Sequence, residues 1–335
     1  MKPGLPTLAL LLLAPCAALA AGPTPAAARL VWPPPPADPR IAYVQSIGGP
    51  ADVGIKPAAL TRVARWIAGG SAQGENLAKP FGVALDAADN LLLTDTGANA
   101  VCCFDRARKK WLRWEGVGKT RFQSPVAIAR QGDTFFVADS ALGKVLAFDA
   151  KGKARFEITN ALERPSGLAI QGGKLFIADA PRHQIVVCDL KGKLLTQFGR
   201  RGSGPGEFNF PTHLAADPAG HLLVTDSMNQ RVQVLDGTGR FVRSVGSAGD
   251  GLGRFSRPKG AAVDTAGRLY VVDALFDNVQ IFDERGQLLL PWGEAGSEPG
   301  QFWLPNAIAI GRDNRIYVAD SYNHRVQVFQ YIGHE

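Results

Sequence analysis

The sequence predicts an all-β protein, a six-bladed β-propeller with an N-terminal strand closing the last blade. An apolar phrase recurs six times with a period of 40 to 47 residues. The chain has 38 Gly and 23 Pro among 335 residues, which favours many turns over helices. A sustained period of this length, made of short strands and turns, is typical of a propeller with one four-stranded sheet per repeat.

Each repeat begins with a proline and an apolar stretch, and its second strand ends in aspartate. The clearest copies read HLLVTDSMNQRVQVL (221–235) and RIYVADSYNHRVQVF (315–329). In RVQVF we expect Val and Phe to pack between sheets and Arg and Gln to point outward. The repeated residues are Pro80, Pro125, Pro165, Pro211, Pro258 and Pro305, followed by Asp95, Asp139, Asp179, Asp226, Asp273 and Asp320.

The N-terminus has the pattern of a secretory signal over residues 1–20. Lys2 precedes an apolar run that ends in Ala18-Leu19-Ala20. We therefore expect an exported protein, periplasmic or secreted. The stretch LAPC ending at Cys16 also resembles a lipobox, and lipidation of that cysteine is the alternative, which would be the protein's one link to a membrane.

Four segments organise the mature chain, whose propeller is expected over 40–335. Residues 21–39 are Pro-rich and predict an extended polyproline arm. Residues 57–67 predict a short amphipathic helix. The repeats cover 69–331 but contain only five fourth strands, so we expect residues 40–47 to supply the sixth and remove the open sheet edges.

The repeat unit P-x-G-x-A-x-D-x-x-G-x-L-Y-V-x-D-x-x-N-x-R-V-x-V-F resembles the NHL repeat. Linkers such as GRRGSGPGEFNFP and GEAGSEPGQFWLP strengthen the likeness, and the leader VWPPPPADPRIAYVQSI resembles that of exported bacterial NHL-repeat proteins. The resemblance covers residues 69–331 and implies the propeller fold. It does not imply one function, because NHL propellers include RNA- and protein-binding domains, receptor sensor domains and a zinc-dependent lyase.

Comparison of the six copies separates structural from functional candidates. The repeated aspartates are expected to cap the turns that follow them. Residues unique to one copy, on loops at one end of the ring, are better site candidates. Apolar and aromatic loop residues rimmed by polar groups predict a non-catalytic platform for a protein or peptide. The candidates are Leu142, Arg182, His183, Met228, Leu275, Phe276, Tyr322 and His324.

The alternative function is a metal-dependent lyase or hydrolase at the mouth of the central channel. The resemblance to the zinc lyase implies three histidines around the axis, for which His183, His213 and His324 are the candidates. His213, two residues after its proline, is best placed to face the axis and is the candidate catalytic residue. We predict no cofactor for the binding function, whereas the enzyme would need zinc or calcium.

A basic strip lies in residues 105–121 of a chain with net charge +7. Arg106, Arg108, Lys109, Lys110 and Arg113 are interleaved with tryptophans, a pattern that suits an anionic envelope polymer. The alternative is a solvated turn whose tryptophans pack inward. Export argues against nucleic acid as the partner.

Three cysteines follow the leader. Adjacent strand residues face opposite sides, so we expect Cys102 to be a surface thiol while Cys103 and Cys188 lie in the core.

Overall fold

The computed structural model describes residues 30–55 and 76–333. The predicted signal at 1–20 and the predicted helix at 57–67 lie outside these residues. The described chain forms a six-bladed β-propeller, as predicted. The 3-10 turns in this part of the chain are Pro50–Val53, Ser227–Asn229 and Ser321–Asn323. No helix within the described ranges has the length and apolar character needed to cross a bilayer.

The first half of the chain contains the N-terminal strands and blades 1 to 3. These strands are β1 (Val31–Trp32) and β2 (Ile41–Ile47); β3 to β6 of blade 1 (Pro80–Leu85, Leu91–Asp95, Ala100–Asp105, Lys110–Trp114); a small hairpin of β7 (Gly116–Val117) and β8 (Thr120–Arg121); β9 to β12 of blade 2 (Pro125–Gln131, Thr134–Asp139, Lys144–Phe148, Ala154–Ile158); and β13 to β16 of blade 3 (Pro165–Gln171, Lys174–Asp179, Gln184–Asp189, Leu194–Phe198).

The second half contains blades 4 to 6. These strands are β17 to β20 of blade 4 (Pro211–Ala216, Leu222–Asp226, Arg231–Leu235, Phe241–Val245); β21 to β24 of blade 5 (Pro258–Val263, Leu269–Asp273, Asn278–Phe282, Leu288–Trp292); and β25 to β27 of blade 6 (Pro305–Ile310, Arg315–Asp320, Arg325–Tyr331). The first strands of neighbouring blades contact each other and surround the axis, so each blade runs from the axis to the rim in chain order.

Blade 6 is closed by the N-terminal strand. Strand β2 pairs antiparallel with β27, with Ile41 opposite Tyr331 and Ile47 opposite Val326. The predicted closing strand at 40–47 is therefore confirmed. The closure joins the two ends of the described chain in one sheet and leaves no gap in the ring.

The Pro-rich segment differs from the expected extended arm where the structure describes it. Strand β1 pairs with β2, so the chain reverses between Trp32 and Ile41. The Trp32 ring packs edge-on against Phe329, with centroids 5.8 Å apart. Pairing supplies partners for the backbone and covers an indole ring that an extended arm would leave in water.

Each repeated aspartate is fully buried and accepts from a backbone amide of the linker that enters its blade, and Asp95, Asp139 and Asp273 also accept from backbone amides of the turn that follows. Asp95 accepts hydrogen bonds from the amides of Gly97 and Ala98 in the turn that follows it, both at 3.0 Å. It also accepts from the amides of Ala78 and Lys79, at 2.7 and 2.8 Å, in the linker that enters its blade. The predicted turn cap is confirmed at Asp95, Asp139 and Asp273, where the carboxylate additionally joins loop to linker.

The expectation that Arg and Gln of RVQVF point outward is wrong for glutamine. Gln327 is fully buried, and its Nε2 donates to the carbonyl of Gln301 at 2.6 Å and to Asp320 at 3.0 Å. Arg325 donates through Nε to the same carboxylate at 2.8 Å. The linker entering the blade covers this side of the strand, so its carbonyls replace water as partners. We call Asp320, Arg325 and Gln327 the Asp–Arg–Gln network; blade 4 repeats it with Asp226, Arg231 and Gln233.

All three cysteines of the described chain are buried, so the surface position expected for Cys102 is wrong. Cys102 packs between blades 6 and 1, while Cys103 packs between blades 1 and 2. Both faces of a middle strand are covered because each sheet lies between two others. Burial raises the pKa of both thiols to about 12, so neither is a reactive thiolate at neutral pH.

We predict that Asp320→Asn destabilises the protein by about 3–5 kcal/mol, because it leaves the largely buried Arg325 without its counter-charge. Urea unfolding followed by circular dichroism would measure the loss. Asp250→Asn, at an exposed position, is the matched control. Equal unfolding midpoints for the two variants would show that the buried carboxylate is not a main support of the fold.

Candidate functional site

One end of the ring carries the linkers that enter each blade and the loops between second and third strands. The register brings them together, since the proline that opens each blade lies opposite the aspartate that ends its second strand, as Pro211 opposite Asp226. We call this end the loop face. The other end, which carries the turns between first and second strands, is the hairpin face.

Several exposed large apolar side chains lie on the loop face, while others lie on the outermost strands of the blades. Trp303 is 54% exposed and Tyr322 40%, and their ring centroids lie 5.5 Å apart. Lys79 of blade 1 lies over the Tyr322 ring, with Nζ 4.4 Å from its centroid. Leu275 of blade 5, 53% exposed, belongs to the loop that binds the Trp303 linker through Asp277, whose carboxylate accepts from the Leu304 amide at 2.7 Å. We call Leu275, Trp303, Tyr322 and Lys79 the aromatic patch.

Trp303 was not among the residues predicted from the sequence, although the sequence contains a signal for it. The linkers of the last three blades end in GEFNFP, GRFSRP and GQFWLP. Trp303 occupies a position that Asn209 and Ser256 hold in the other two, so it is unique to its copy and lies on the loop face. The comparison of copies that selected Tyr322 would also have selected Trp303.

The other apolar and basic residues predicted to bind a partner lie outside the aromatic patch and differ in exposure. Met228 is 57% exposed on the loop of blade 4. Phe276 is half-buried. Leu142 is half-buried and packs against the core between blades 1 and 2. Arg182 is exposed, 3.6 Å from Glu163.

His183 and His324 form contacts that hold loops. His183 is buried, and its Nδ1 accepts a hydrogen bond from the Phe210 amide at 3.2 Å. His324 donates through Nδ1 to the Ala78 carbonyl. Both residues have positive φ, 54° and 56°, at a turn position that is also left-handed in the other four blades. Each histidine therefore joins the loop of one blade to the linker of the next.

The loop face carries more basic than acidic groups. Arg164, Arg182 and Arg257 are exposed there, and Lys79 and Lys259 are half-buried. The acidic residues on the loops and within two positions of the opening prolines are Glu163, which lies near Arg182, and Asp277, which accepts the Leu304 amide. Glu294 and Glu298 are exposed farther out, on the linker that carries Trp303. The field at this face therefore favours a negatively charged partner.

The first strands of the blades enclose a central cavity of about 360 Å³. Small residues surround the axis where each first strand begins, at Gly82, Ala127, Gly167, Gly260 and Ala307. The reason is close approach of backbones: a Cβ on Gly82 would lie 2.5 Å from the carbonyl oxygen of Val126. His213 holds this position in blade 4, so a large polar side chain lies where the other blades have none.

His213 lies in the channel, as the sequence predicted. Its ring stacks with that of Phe81 from the opposite blade, with centroids 6.5 Å apart and planes at 23°. Both ring nitrogens are buried and have no hydrogen-bond partner in the protein. Burial, together with the charge of Lys259, lowers the pKa of His213 to about 3. Burial and Arg257 lower the pKa of Lys259 to about 8.

The three histidines considered as zinc ligands are not brought together. His213 lies in the channel, while His183 and His324 each use Nδ1 to hold backbone. Among residues 30–55 and 76–333, no three His, Cys, Asp or Glu side chains are grouped closely enough to hold a metal ion.

The basic strip forms a turn in which several of the basic side chains form hydrogen bonds or ion pairs within the protein. Arg106 donates to the hydroxyl of Tyr317 at 3.1 Å, and Arg108 pairs with Asp105 at 3.0 Å. Arg113 lies along the fourth strand of blade 1, with its side chain 20% exposed. Lys109 and Lys110 remain exposed at the hairpin face.

The tryptophans of the strip pack inward. The Trp114 ring contacts those of Phe135 and Phe148, with centroids 4.9 and 5.3 Å away, and Trp111 lies against Phe104. This arrangement is that of a solvated turn in which Trp114 is buried and Trp111 half-buried.

Family models match three stretches of the chain. The NHL repeat model matches residues 208–235 and 302–329, and a model described as a 6-bladed beta-propeller matches 157–220. The two NHL stretches contain both copies of the Asp–Arg–Gln network. The chain thus contains NHL repeats in a six-bladed propeller. No curated protein sequence matches the chain.

Solved structures with the same fold have varied functions. An auxiliary nutrient binding protein from Bacteroides thetaiotaomicron is 14% identical with a TM-score of 0.61, and the match covers 76% of this chain and 69% of that one. Virginiamycin B lyase from Staphylococcus aureus is 14% identical with a TM-score of 0.55, covering 76% and 96%. Kuenenia stuttgartiensis hydrazine synthase is 16% identical with a TM-score of 0.55, covering 77% and 97%. At these identities the likeness shows the fold alone.

We predict that His213 stays neutral in the folded protein throughout the range in which an ordinary histidine, with a pKa of 6.5, gains a proton. Its folded pKa lies below its unfolded pKa, so the unfolded chain alone binds the proton between the two values. The stability of wild type relative to His213→Gln therefore falls with decreasing pH in that window, by about 1.4 kcal/mol per pH unit at most.

NMR titration of the histidine ring resonances, assigned with His213→Gln, would measure the pKa directly. Urea unfolding of both proteins at several pH values would measure the stability difference. A His213 midpoint near 6.5 would contradict the buried, neutral imidazole.

Proposed function

We propose that this NHL-repeat propeller is a non-catalytic binding scaffold of the cell envelope, whose loop face holds a protein or peptide. The observation that carries the proposal is the aromatic patch. Trp303 and Tyr322 are large side chains exposed next to each other on the face where every blade presents its loops. Tryptophan and tyrosine are enriched among the residues that dominate binding energy at protein interfaces.

The patch is held in a defined position, which favours binding. The Trp303 amide donates to Asp320 at 2.8 Å, and Asn323 in the Tyr322 loop donates to the same carboxylate at 2.9 Å. The Tyr322 amide donates to the Trp303 carbonyl at 3.3 Å. Little backbone freedom remains to be lost when a partner binds, so less of the interaction energy is spent on ordering.

The charge of the loop face indicates the chemistry of the partner. Exposed arginines at positions 164 and 257 lie beside the opening prolines of blades 3 and 5, and Lys79 lies over Tyr322. Charge complementarity speeds association and excludes partners of the wrong sign. We therefore expect a peptide segment with apolar side chains flanked by Asp or Glu.

Placement in the envelope is supported by residues 1–20, which have the charge, apolar run and small-residue end of a secretory signal. Intact-mass and N-terminal peptide measurements on the protein recovered from a bacterial envelope fraction would test this. We expect a mature chain beginning at Ala21. A chain beginning at a lipidated Cys16 would instead indicate anchoring, and a full-length chain in the cytosol would contradict export.

The patch predicts how binding responds to mutation. On an array of nine-residue peptides carrying Trp, Phe or Leu between acidic residues, we expect wild-type protein to select a subset. For the selected peptides, Trp303→Ala and Tyr322→Ala should each weaken binding at least about tenfold, as loss of an interface anchor does. Fluorescence anisotropy of the labelled peptide would measure both affinities.

Leu195→Ala is the matched control, since Leu195 is an exposed apolar side chain, 47% exposed, on the outermost strand of blade 3. A parallel array with Lys and Arg in place of the acidic residues should give no selection. Equal weakening by the control variant, or preference for the basic array, would refute the loop-face assignment.

A further inference from the structure

The residues that follow the six opening prolines lie around the loop-face end of the central channel, because the first strands surround the axis and each begins at its proline. The cavity between these strands extends to this level, since Val126 is among the residues that line it. We call these residues the mouth residues; they are Phe81, Val126, Ser166, Thr212, Lys259 and Asn306.

The polar mouth residues of blades 3 and 6 are satisfied by the neighbouring blade. Ser166 donates to the Pro211 carbonyl at 2.8 Å, and Asn306 donates to the Phe81 carbonyl at 3.1 Å. Each of these side chains therefore has a structural role between two blades. The polar mouth residues of blades 4 and 5 have no such contact within the described residues.

Thr212 and Lys259 supply hydrogen-bond donors that no group of the described chain accepts. The Thr212 hydroxyl is buried without a partner. Lys259 is half-buried, and the charged side chain that acts on it is Arg257, which repels it. An ammonium that is withdrawn from water and repelled by an arginine is unfavourable unless an anion accompanies it.

His213 adds a third group next to these two. It follows Thr212 in the chain, and the charge of Lys259 contributes to lowering its pKa to about 3, so the ammonium lies near the ring. Both ring nitrogens are buried and unpartnered in the part of the chain that the structure describes. The ring is neutral at pH 7 and carries one N–H donor.

These three side chains indicate the chemistry of a ligand. The ammonium, the hydroxyl and the imidazole N–H all donate, and together they carry one positive charge. A carboxylate only accepts, carries one negative charge and has two oxygens to divide among several donors. A dianion would bring a second charge into the site, and a neutral amide would leave the ammonium uncompensated.

We propose that the loop-face end of the channel is a binding site for a carboxylate group, which accepts hydrogen bonds from Lys259, Thr212 and His213. The carboxylate belongs either to a free organic acid or to an Asp or Glu side chain of a protein on the loop face. Arg164 and Arg257, exposed beside the opening prolines of blades 3 and 5, attract an anion from either source. The site contains no residue of the aromatic patch, so a free carboxylate binds without the peptide proposed there.

The test titrates the folded protein, labelled with ¹³C at lysine Cε and with ¹⁵N at histidine, with sodium acetate at pH 7 and constant ionic strength. We expect saturable NMR shifts at Lys259 and His213, with Lys193, exposed at the hairpin face, unchanged. Acetamide, which is neutral, and sulfate, which is a dianion, should each bind at least about tenfold more weakly. The absence of a saturable Lys259 shift, or equal binding of acetamide or sulfate, would overturn the proposal.

Two variants locate the site. Lys259→Met keeps the length of the side chain and removes its charge, so it should weaken acetate binding at least about tenfold, and Thr212→Val should weaken it about threefold. Each variant removes a polar group that has no partner in the described protein, so neither should unfold it. Lys193→Met is the matched control and should bind acetate as wild type does. Wild-type affinity for acetate in Lys259→Met would refute the site.

A further arm distinguishes the two sources of the carboxylate. Acetate that competes with the acidic peptides selected on the loop face would assign the carboxylate to a peptide side chain, and simultaneous binding would assign it to a free acid. Trp303→Ala should weaken the peptides and leave acetate binding unchanged. Loss of acetate binding in Trp303→Ala would contradict a channel site separate from the aromatic patch.

Discussion

The structure depends on one interaction that occurs six times: a fully buried aspartate at the end of the second strand. A buried carboxylate is tolerated only where several donors replace water. In every blade the linker before it supplies a backbone amide, as Lys79 does for Asp95. The remaining donors are turn amides at Asp95, Asp139 and Asp273, and the side chains of the Asp–Arg–Gln network at Asp226 and Asp320. Each carboxylate therefore fixes the geometry of the loop face. The same hydrogen bonds that hold each blade together therefore also position the loops and linkers of this face.

Neighbouring blades are joined by a second set of polar contacts. Ser321 donates to the Pro80 carbonyl at 2.6 Å, which links the last blade to the first, and Ser227 donates to the Pro258 carbonyl at 2.8 Å. With strand β2 completing blade 6, the ring is closed both by a sheet and by hydrogen bonds. A closed ring of this kind gives the aromatic patch a rigid support and lets it span blades 5, 6 and 1.

The loop face and the central channel have different physical properties. The loop face offers exposed aromatic side chains in a basic field, which suits a large partner. The channel is a narrow space of about 360 Å³ whose lining includes His213 and Gln131 together with small and aliphatic residues of the first strands. The rings of His213 and Phe81, from opposite blades, stack across the channel.

The number of blades, the closing strand and the turn-capping aspartates could be predicted from the sequence. One repeat cannot bury its apolar faces alone, so six copies in a row determine a ring, and the missing sixth outer strand requires the N-terminus to supply it. The sequence also placed Tyr322 on the loop face and His213 in the channel. These features follow from the periodicity of the sequence and from local turn chemistry. Both depend on residues that lie close together in the chain.

The tertiary structure alone decided what surrounds each side chain. Gln327 looks like a surface residue in an alternating strand, yet a linker more than twenty positions earlier covers it and supplies its partners. Cys102 is buried for the same reason, because blades cover both faces of the middle strands. His183 and His324 look like metal ligands but bind the backbone of the next blade. Such outcomes depend on contacts between segments distant in sequence, and alternation along one strand does not encode them.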